Sequence, residues 1–204
     1  MNKFIWGFLF LIVILLPACS VKTTINNQYK LESFSHKIYS KAAPRASILV
    51  SQPEAAAGYQ TEQMLYIKKP FGLSPFAKSA WVSPPANLLT PLIIQSLHDS
   101  HYFYAVLSPD SPDKADYRLD TQLLALQQNF LDKPSRVELV VKLVLAHVAD
   151  NRIIASKIIH TQVECPQESP YGGVVAANLA TLRFTQAATE FVIQNIKHGE
   201  IAKK

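Results

Sequence analysis

The chain has 204 residues, of which 49% are hydrophobic and 17% are charged, and its formal net charge at pH 7 is +5. This composition is too apolar for a disordered chain and suits one globular domain with a short leader. The basic residues are scattered, without the clustered Lys and Arg side chains that nucleic-acid binding needs, so nucleic acid is excluded as a partner.

Residues 1–18 have the build of a secretory signal peptide. Lys3 gives them a basic start, and an apolar run over residues 4–18 contains no acidic side chain. A membrane-spanning helix needs about 20 apolar residues, so this run is short for a span. A basic start, an apolar middle and a small residue before the cut are instead typical of a segment that is removed on export.

The apolar run ends on a cysteine, in the sequence Leu16, Pro17, Ala18, Cys19. These four residues resemble the bacterial lipobox, although Pro17 stands where a small or β-branched residue is usual. The resemblance implies that Cys19 receives a diacylglyceryl group and becomes the first residue after cleavage. Several acyl chains anchor a protein stably, whereas a single chain does so only marginally. The alternative, an uncleaved anchor with an incidental cysteine, would also tie the chain to a membrane.

Ser20 and the polar residues after it indicate where the anchored domain lies. Resemblance to lipoproteins of double-membraned bacteria implies export to the outer membrane, because an aspartate after the cysteine commonly signals inner-membrane retention. We therefore expect a lipid anchor on the periplasmic face of the outer membrane. Residues 19–28 would form the anchor and a tether that spans at most about 30 Å. Residues 29–198 would form the folded domain and residues 199–204 a C-terminal tail.

Lipidation of Cys19 leaves Cys165 as the other cysteine of the sequence, so no intramolecular disulfide is expected. Pro166 marks a turn directly after it, and no histidine lies close in sequence. These neighbours favour a strand-end residue over a nucleophile.

The first half of the domain predicts three strands and one helix. Short runs of β-forming residues favour strands at 29–39, 46–51 and 63–68, followed by a turn at 69–72 and a loop at 75–81. Apolar residues at spacings of three and four then indicate an amphipathic helix over 85–98. Pro91 interrupts this pattern, and we favour one kinked helix over a helix that begins at Pro91 with Thr90 as its cap.

The second half is dominated by alternation of apolar and polar residues. A strand is expected at 102–107, a loop at 108–113, and alternating strands at 117–123, 137–145 and 153–163. Asp150 and Asn151 separate the last two, which predicts an antiparallel hairpin. Gly172 and Gly173 open a last helix whose apolar stripe is Ala177, Ala180, Phe184, Ala187, Ala188 and Phe191.

This order of elements predicts an α+β fold, a two-layer domain in which two main helices pack on a mixed or antiparallel sheet. A core of this size needs no cofactor to hold it together.

The densest group of potential metal ligands or catalytic side chains is His98, Asp99, Ser100 and His101. Zinc needs three or four ligands and no second cluster is apparent, so we predict no metal site. Neighbours in sequence rarely adopt the geometry of a catalytic triad, and no glycine-rich phosphate loop occurs. We therefore predict neither catalytic residues nor enzyme activity. His147 and His160, on the two arms of the hairpin, either face each other or lie on the sheet surface, and we favour the surface.

Several short pieces of the sequence occur in an order that is informative as a whole. Trp81, Ser83 and Pro84 lead into the first helix, and a short strand at 103–106 follows it. The other pieces are 29–31, 46–50, Gly58 with Tyr59, Tyr66, 115–119 and the Ala-rich last helix. In this order they resemble the ABC-type transport auxiliary lipoprotein family across nearly the whole mature chain. His101 departs from the family pattern, because many members have glycine before this strand.

The resemblance implies a role without catalysis. Members work beside MCE-domain proteins, which bridge the periplasm and carry lipids between the membranes. We therefore expect an accessory or docking component of that transport machinery, and a homo-oligomeric ring is one assembly open to it. Two other classes remain open, a lipid-binding carrier with an internal cavity and a lipid-anchored hydrolase with Ser100 or Cys165 as its nucleophile.

The aromatic residues around Trp81 have two interpretations. Trp81 either pins its loop onto the sheet, or forms with Phe71, Phe76 and Tyr59 an apolar patch that binds a partner.

Overall fold

The computed structural model describes residues 24–25, 27–40 and 46–201. The predicted signal peptide, Cys19 and most of the tether lie outside these residues. Within the described part of the chain the elements are β1 (Asn27–Tyr29), β2 (Ala46–Val50), β3 (Glu54–Ala55), β4 (Gln63–Lys69), β5 (Gly72–Trp81), α1 (Pro85–Asp99), β6 (Phe103–Leu107), β7 (Tyr117–Asn129), β8 (Arg136–His147), β9 (Arg152–Glu164) and α2 (Pro170–Ile201).

Strand β7 is the centre of one mixed sheet. One of its edges pairs antiparallel with β8 from Tyr117 to Asn129, and β8 pairs antiparallel with β9. Its other edge carries β2, β3 and β4 in succession, all parallel to it. β5 and then β1 extend the sheet beyond β4, and β6 extends it beyond β2. The nine described strands therefore combine parallel and antiparallel pairs in one sheet.

Both described helices cover the same face of this sheet. α2 packs against β8 and β9, while α1 packs against β2, β6 and β7 and touches α2. Along α2, Ala177, Ala180 and Ala188 are almost completely buried and Phe184 is fully buried. Small side chains allow the helix to approach the sheet closely, and Phe184 fills the space between them. The predicted two-layer α+β architecture and the apolar stripe of the last helix are confirmed.

The strand predicted at 29–39 is wrong beyond Tyr29. Residues 30–40, which we call the strap, have no regular structure and cross α2. The strap bonds to helix side chains: the N–H groups of Glu32 and Ser33 donate to Asn178 Oδ1, and Ser35 N donates to Thr185 Oγ1 at 3.0 Å. Because these partners satisfy the backbone polar groups, the strap needs no neighbouring strand.

The loop predicted at 75–81 is also wrong, because these residues belong to the strand β5. Proline removes a ladder donor and is tolerated mainly at sheet edges. Among the described strands, β1 covers only Ser79–Trp81 on the outer side of β5, so Pro75 lies where β5 pairs with β4 alone. The register between β4 and β5 is irregular there, which accommodates the proline.

The hairpins and α1 agree with the prediction. Pro70 and Phe71 form the two-residue turn between β4 and β5, and Asp150 and Asn151 lie in the turn before β9. α1 is a single helix that contains Pro91, so a start at Pro91 is wrong.

Regular structure begins before residue 29 and continues past residue 198. Asn27 already pairs with Ser79, because the free outer edge of β5 offers backbone partners before Tyr29 is reached. At the other end α2 continues to Ile201. α2 also begins earlier than predicted, at Pro170, because the Ser169 hydroxyl accepts a hydrogen bond from Gly172 N at 3.1 Å and caps the first turn.

Replacing Gly172 with alanine should destabilise the domain by about 1–3 kcal/mol. A Cβ at this position would lie 2.1 Å from the backbone oxygen of Gln167, so the chain entering α2 would have to move. Gly199→Ala is the matched control, because nothing lies within 4 Å of a Cβ there and alanine favours a helix by about 1 kcal/mol over glycine. Urea unfolding measures both variants, and equal stabilities would contradict the close approach at Gly172.

Glu190 should make the attachment of the strap to α2 dependent on pH. The Lys37 ammonium, bonded to the carboxylate at 2.8 Å, lowers the pKa of Glu190; burial opposes this shift, and the Tyr39 hydroxyl is a second donor. A carboxyl with a lowered pKa stabilises the fold above its unfolded value of about 4.3, and this contribution is lost as the pH falls through the folded value.

We therefore expect Glu190→Gln to cost about 1 kcal/mol at neutral pH, a small amount because half of the Lys37 side chain is exposed. The cost should shrink as the pH falls below about 4. Urea unfolding of both proteins across this range is the measurement, and a cost that does not change with pH would contradict the role of the carboxylate.

Candidate functional site

Trp81 lies in the core and not on an open surface. Its side chain is only 3% exposed, and its backbone N–H donates to the Glu62 carbonyl at 2.7 Å. With Met64, Phe76 and Ala177 it lines a small pocket of about 10 Å³. The structure thus places Trp81 where it fixes the end of β5 against α2, and a folded domain does not present it to a partner.

The other three residues of the proposed patch lie in different settings. Phe71 is fully exposed at the β4–β5 turn. Phe76 is half-buried, with its ring centroid 4.6 Å from that of Tyr66, and the half-buried Tyr59 donates its hydroxyl to the Gln127 side chain. Phe76 and Trp81 line one space together, and Phe71 is not part of it.

A surface groove lies beside Phe76, between β5 and the chain at 61–63. Its volume is about 770 Å³ and it is open to solvent. Its lining combines apolar and polar residues: Ile25, Thr61, Glu62, Gln63, Pro75, Phe76, Ala77, Ser79, Ala80 and Pro84. Sequence reasoning missed this groove, since it assigned Ile25 to the tether and Pro75 to a loop. The cluster of Pro75, Pro84 and Pro85 was the available signal of an irregular sheet edge.

The polar group at the end of α1 is a local hydrogen-bond cluster. His36 Nδ1 lies 2.6 Å from Asp99 Oδ2, and His98 Nδ1 lies 3.2 Å from Asp99 Oδ1. Burial alone would raise the pKa of Asp99, but the hydrogen bonds from the two imidazoles outweigh it and the pKa is lowered. Among the described residues no group of three or more His, Cys, Asp or Glu side chains is placed to hold a metal ion.

Ser100 is not placed as a nucleophile. Its side chain is fully buried, its hydroxyl donates to the Leu97 carbonyl at 2.5 Å, and it accepts from Tyr102 N at 3.2 Å. These bonds close the last turn of α1, and His101 follows with a φ of 56° that turns the chain into β6. The hydroxyl thus serves the helix end.

Cys165 directly follows β9 and is buried and free, which confirms the strand-end prediction. Burial raises the pKa of its thiol and favours the neutral, unreactive form.

The histidines of the hairpin do not face each other. His147 pairs with Arg152 beside the turn and bonds Asp150 at 2.8 Å, whereas His160 lies opposite Val140 farther along the ladder.

The fold has counterparts among solved structures. The crystal structure of protein XCC0632 from Xanthomonas campestris, of family DUF330, superimposes with a TM-score of 0.71 at 19% identity, over 86% of this chain and 99% of that one. A second crystal structure, of an uncharacterized protein, has a TM-score of 0.65 at 11% identity, over 82% and 98% of the two chains. At such identities the likeness shows a shared fold. No curated protein sequence matches the chain significantly.

The sequence itself defines the family. Residues 29–188 match the family model of the ABC-type transport auxiliary lipoprotein component. The chain therefore belongs to the ABC-type transport auxiliary lipoprotein family, as the order of its motifs predicted. Membership makes it a lipoprotein that is auxiliary to a transport system. Neither described helix is long and apolar enough to cross a membrane.

Trp81→Ala should destabilise the domain by about 3–5 kcal/mol, because truncating a buried tryptophan leaves a cavity. Phe71→Ala should change the stability by less than about 0.5 kcal/mol, because the ring is fully exposed. The midpoints and slopes of urea unfolding compare the two variants. If Trp81→Ala were as stable as the parent protein, the result would contradict the burial of Trp81 in the core.

Proposed function

We propose that the protein is an outer-membrane lipoprotein, anchored through a lipidated Cys19 on the periplasmic side, that acts as a non-catalytic docking component of an MCE-type intermembrane lipid transport system. The family match over residues 29–188 is the observation that carries this proposal. An auxiliary component needs an attachment to its membrane and a surface for its partner.

The short connection between Cys19 and the sheet supports a role close to the membrane. β1 begins at Asn27, eight residues after Cys19, and an extended chain of that length spans at most about 29 Å. β1 is then paired with β5, and the strap that follows is bonded to α2. The connection leads directly into the sheet and the long helix, so the domain stays near its anchor.

The groove beside β5 is the surface we assign to the partner. It opens next to Ile25, at the point where the chain arrives from the anchor, and its lining mixes apolar side chains with Glu62 and Gln63. An apolar floor with a polar rim is the usual composition of a protein–protein interface. A partner bound there would lie between the domain and its anchoring membrane.

The packing of the core speaks against a lipid-binding carrier. The pocket at Trp81 has a volume of about 10 Å³, which is room for about one water molecule. Ligand sites usually need 300–1,000 Å³, roughly, and surround most of the ligand. The larger groove is open to solvent. The hydrolase alternative finds no support either, because Ser100 and Cys165 are both buried and neither bonds a histidine.

In-cell crosslinking of the full-length lipoprotein, followed by detergent extraction and identification of the captured proteins, tests the docking role. We expect an MCE-domain protein at a defined stoichiometry. Ala77→Glu places a charge in the groove and should reduce this capture at least about tenfold, because an unpaired charge that is buried in an interface costs more than about 1.4 kcal/mol. Ala149→Glu, at an exposed position in the β8–β9 turn, is the matched control and should leave capture unchanged.

Cys19→Ala separates the anchor from the docking role. This variant should lose acyl labelling with radioactive palmitate and leave the membrane fraction. Labelling of Cys19→Ala at the parent level would contradict the anchor. A labelled parent protein that comes out alone, or with a cell-wall or secretion component, would contradict the docking role and leave the family assignment intact.

A further inference from the structure

One end of the sheet carries an apolar projection that the fold does not use. This end, which we call the tether end, is where β4 stops at Lys69, β5 starts at Gly72 and β7 stops at Asn129. Phe71 is fully exposed in the β4–β5 turn, and Leu73 beside it is 41% exposed. Two large apolar side chains therefore point into solvent from the tip of one hairpin.

The backbone of Phe71 adopts an unusual conformation. Its φ is 63°, a left-handed conformation that bulky residues rarely adopt. Glycine or asparagine would take this conformation more readily. Because the ring of Phe71 is fully exposed, the folded domain gains no packing from it. Strained residues cluster at functional sites, so a strained residue that adds nothing to the packing of the domain suggests a contact with another molecule or a membrane.

The turn is flanked by positive charge. Lys68 and Lys69 immediately precede it and are exposed, and no acidic residue occurs in the sequence between Glu62 and Asp99. Lys68 is held in place by aromatic rings, with its Nζ 5.1 Å from the Tyr66 ring and 5.4 Å from the Phe130 ring.

The neighbouring β7–β8 turn continues this surface. Leu131 is 46% exposed there, and Lys133 is exposed. Asp132, the acidic residue of that turn, is paired with Arg136 at 3.9 Å, which partly offsets its charge. The tether end thus combines exposed apolar tips with lysines.

The described residues before the strap leave this end of the sheet within reach of an anchor on Cys19. β1 runs parallel to β5, so the chain before Asn27 comes from the direction in which β5 begins. Ile25 already lines the groove together with Pro75 and Ala77, which places it farther back along β5. The six residues from Cys19 to Ile25 span at most about 20 Å. This length is enough for a lipid on Cys19 to lie at the tether end.

We propose that the β4–β5 turn inserts Phe71 into the headgroup region of the membrane that holds the anchor, with Lys68 and Lys69 on anionic phospholipid headgroups. This inference rests on the proposed lipidation of Cys19. An apolar tip with flanking lysines suits an anionic bilayer surface, where the ring enters the interface and the ammonium groups stay at the headgroups. The turn gives the domain a second contact with the membrane, and two contacts restrict the tilt of the domain more than the lipid anchor alone does.

The test uses the full-length lipoprotein, purified with its anchor and reconstituted into vesicles of phosphatidylethanolamine and phosphatidylglycerol. Phe71→Trp places a fluorescent reporter at the tip. Cleavage before Cys19 removes Trp6, so the native Trp81 is a buried background that is the same in every variant. We expect the emission of Phe71→Trp to shift to shorter wavelength in vesicles and to be quenched by lipids with brominated acyl chains. Ile153→Trp is the matched control, since Ile153 is 65% exposed at the opposite end of the sheet, and should show neither effect.

Adding Lys68→Gln and Lys69→Gln to Phe71→Trp should weaken insertion by roughly fivefold per lysine and reduce its dependence on salt. Quenching of Phe71→Trp no stronger than that of Ile153→Trp would overturn the proposal. A blue shift without quenching by brominated lipid would also overturn it, because the tip would then lie against protein, either a second copy or a transport partner. Failure of every variant to float with the vesicles would instead contradict the lipid anchor, and with it this inference.

Discussion

The packing of α2 on the β8–β9 hairpin is the contact on which the rest of the domain depends. α2 is the longest described element, and its buried face consists mainly of alanine and threonine with Phe184 at the centre. The small side chains bring the helix backbone close to the sheet. Asn178 and Thr185, each about 100° round the helix from Ala177 and Phe184, bind the strap. α2 therefore contacts both the hairpin and the strap, so the N-terminal chain is fixed to the core.

The threonines of α2 show how a polar residue is accommodated at such a close contact. Thr181 donates its hydroxyl to the Ala177 carbonyl within the helix, and Thr189 shares a hydrogen bond of 3.0 Å with Ser96 of α1. These residues are almost completely buried. Because each hydroxyl has a partner, none carries the cost of an unsatisfied buried group, and α1 is aligned beside α2.

Other side chains that could support chemistry also have structural partners. Asp116 accepts hydrogen bonds from the Ser47 backbone and hydroxyl, both at 2.8 Å, and from Tyr104 at 3.1 Å. The bond from the Ser47 N–H lowers the pKa of Asp116, and the carboxylate fastens β2 and β6 to the start of β7. Phe71, Lys68 and Lys69 differ, because they are exposed. We therefore place the two proposed contact surfaces at an edge and a turn of the sheet: the groove beside β5 for a partner and the β4–β5 turn for the membrane.

Sequence alone determined the parts of the fold whose information is local. Alternation of period two located β7, β8 and β9, spacing of three and four located both helices, and Leu16 to Cys19 pointed to the lipoprotein class that the family match then established. Tertiary structure decided what depends on distant partners. The strap escaped prediction because its hydrogen-bond acceptors lie about 150 residues away on α2. Trp81 and Phe71 are both aromatic residues near prolines, yet one is buried and the other exposed, because burial depends on which elements fold over a side chain.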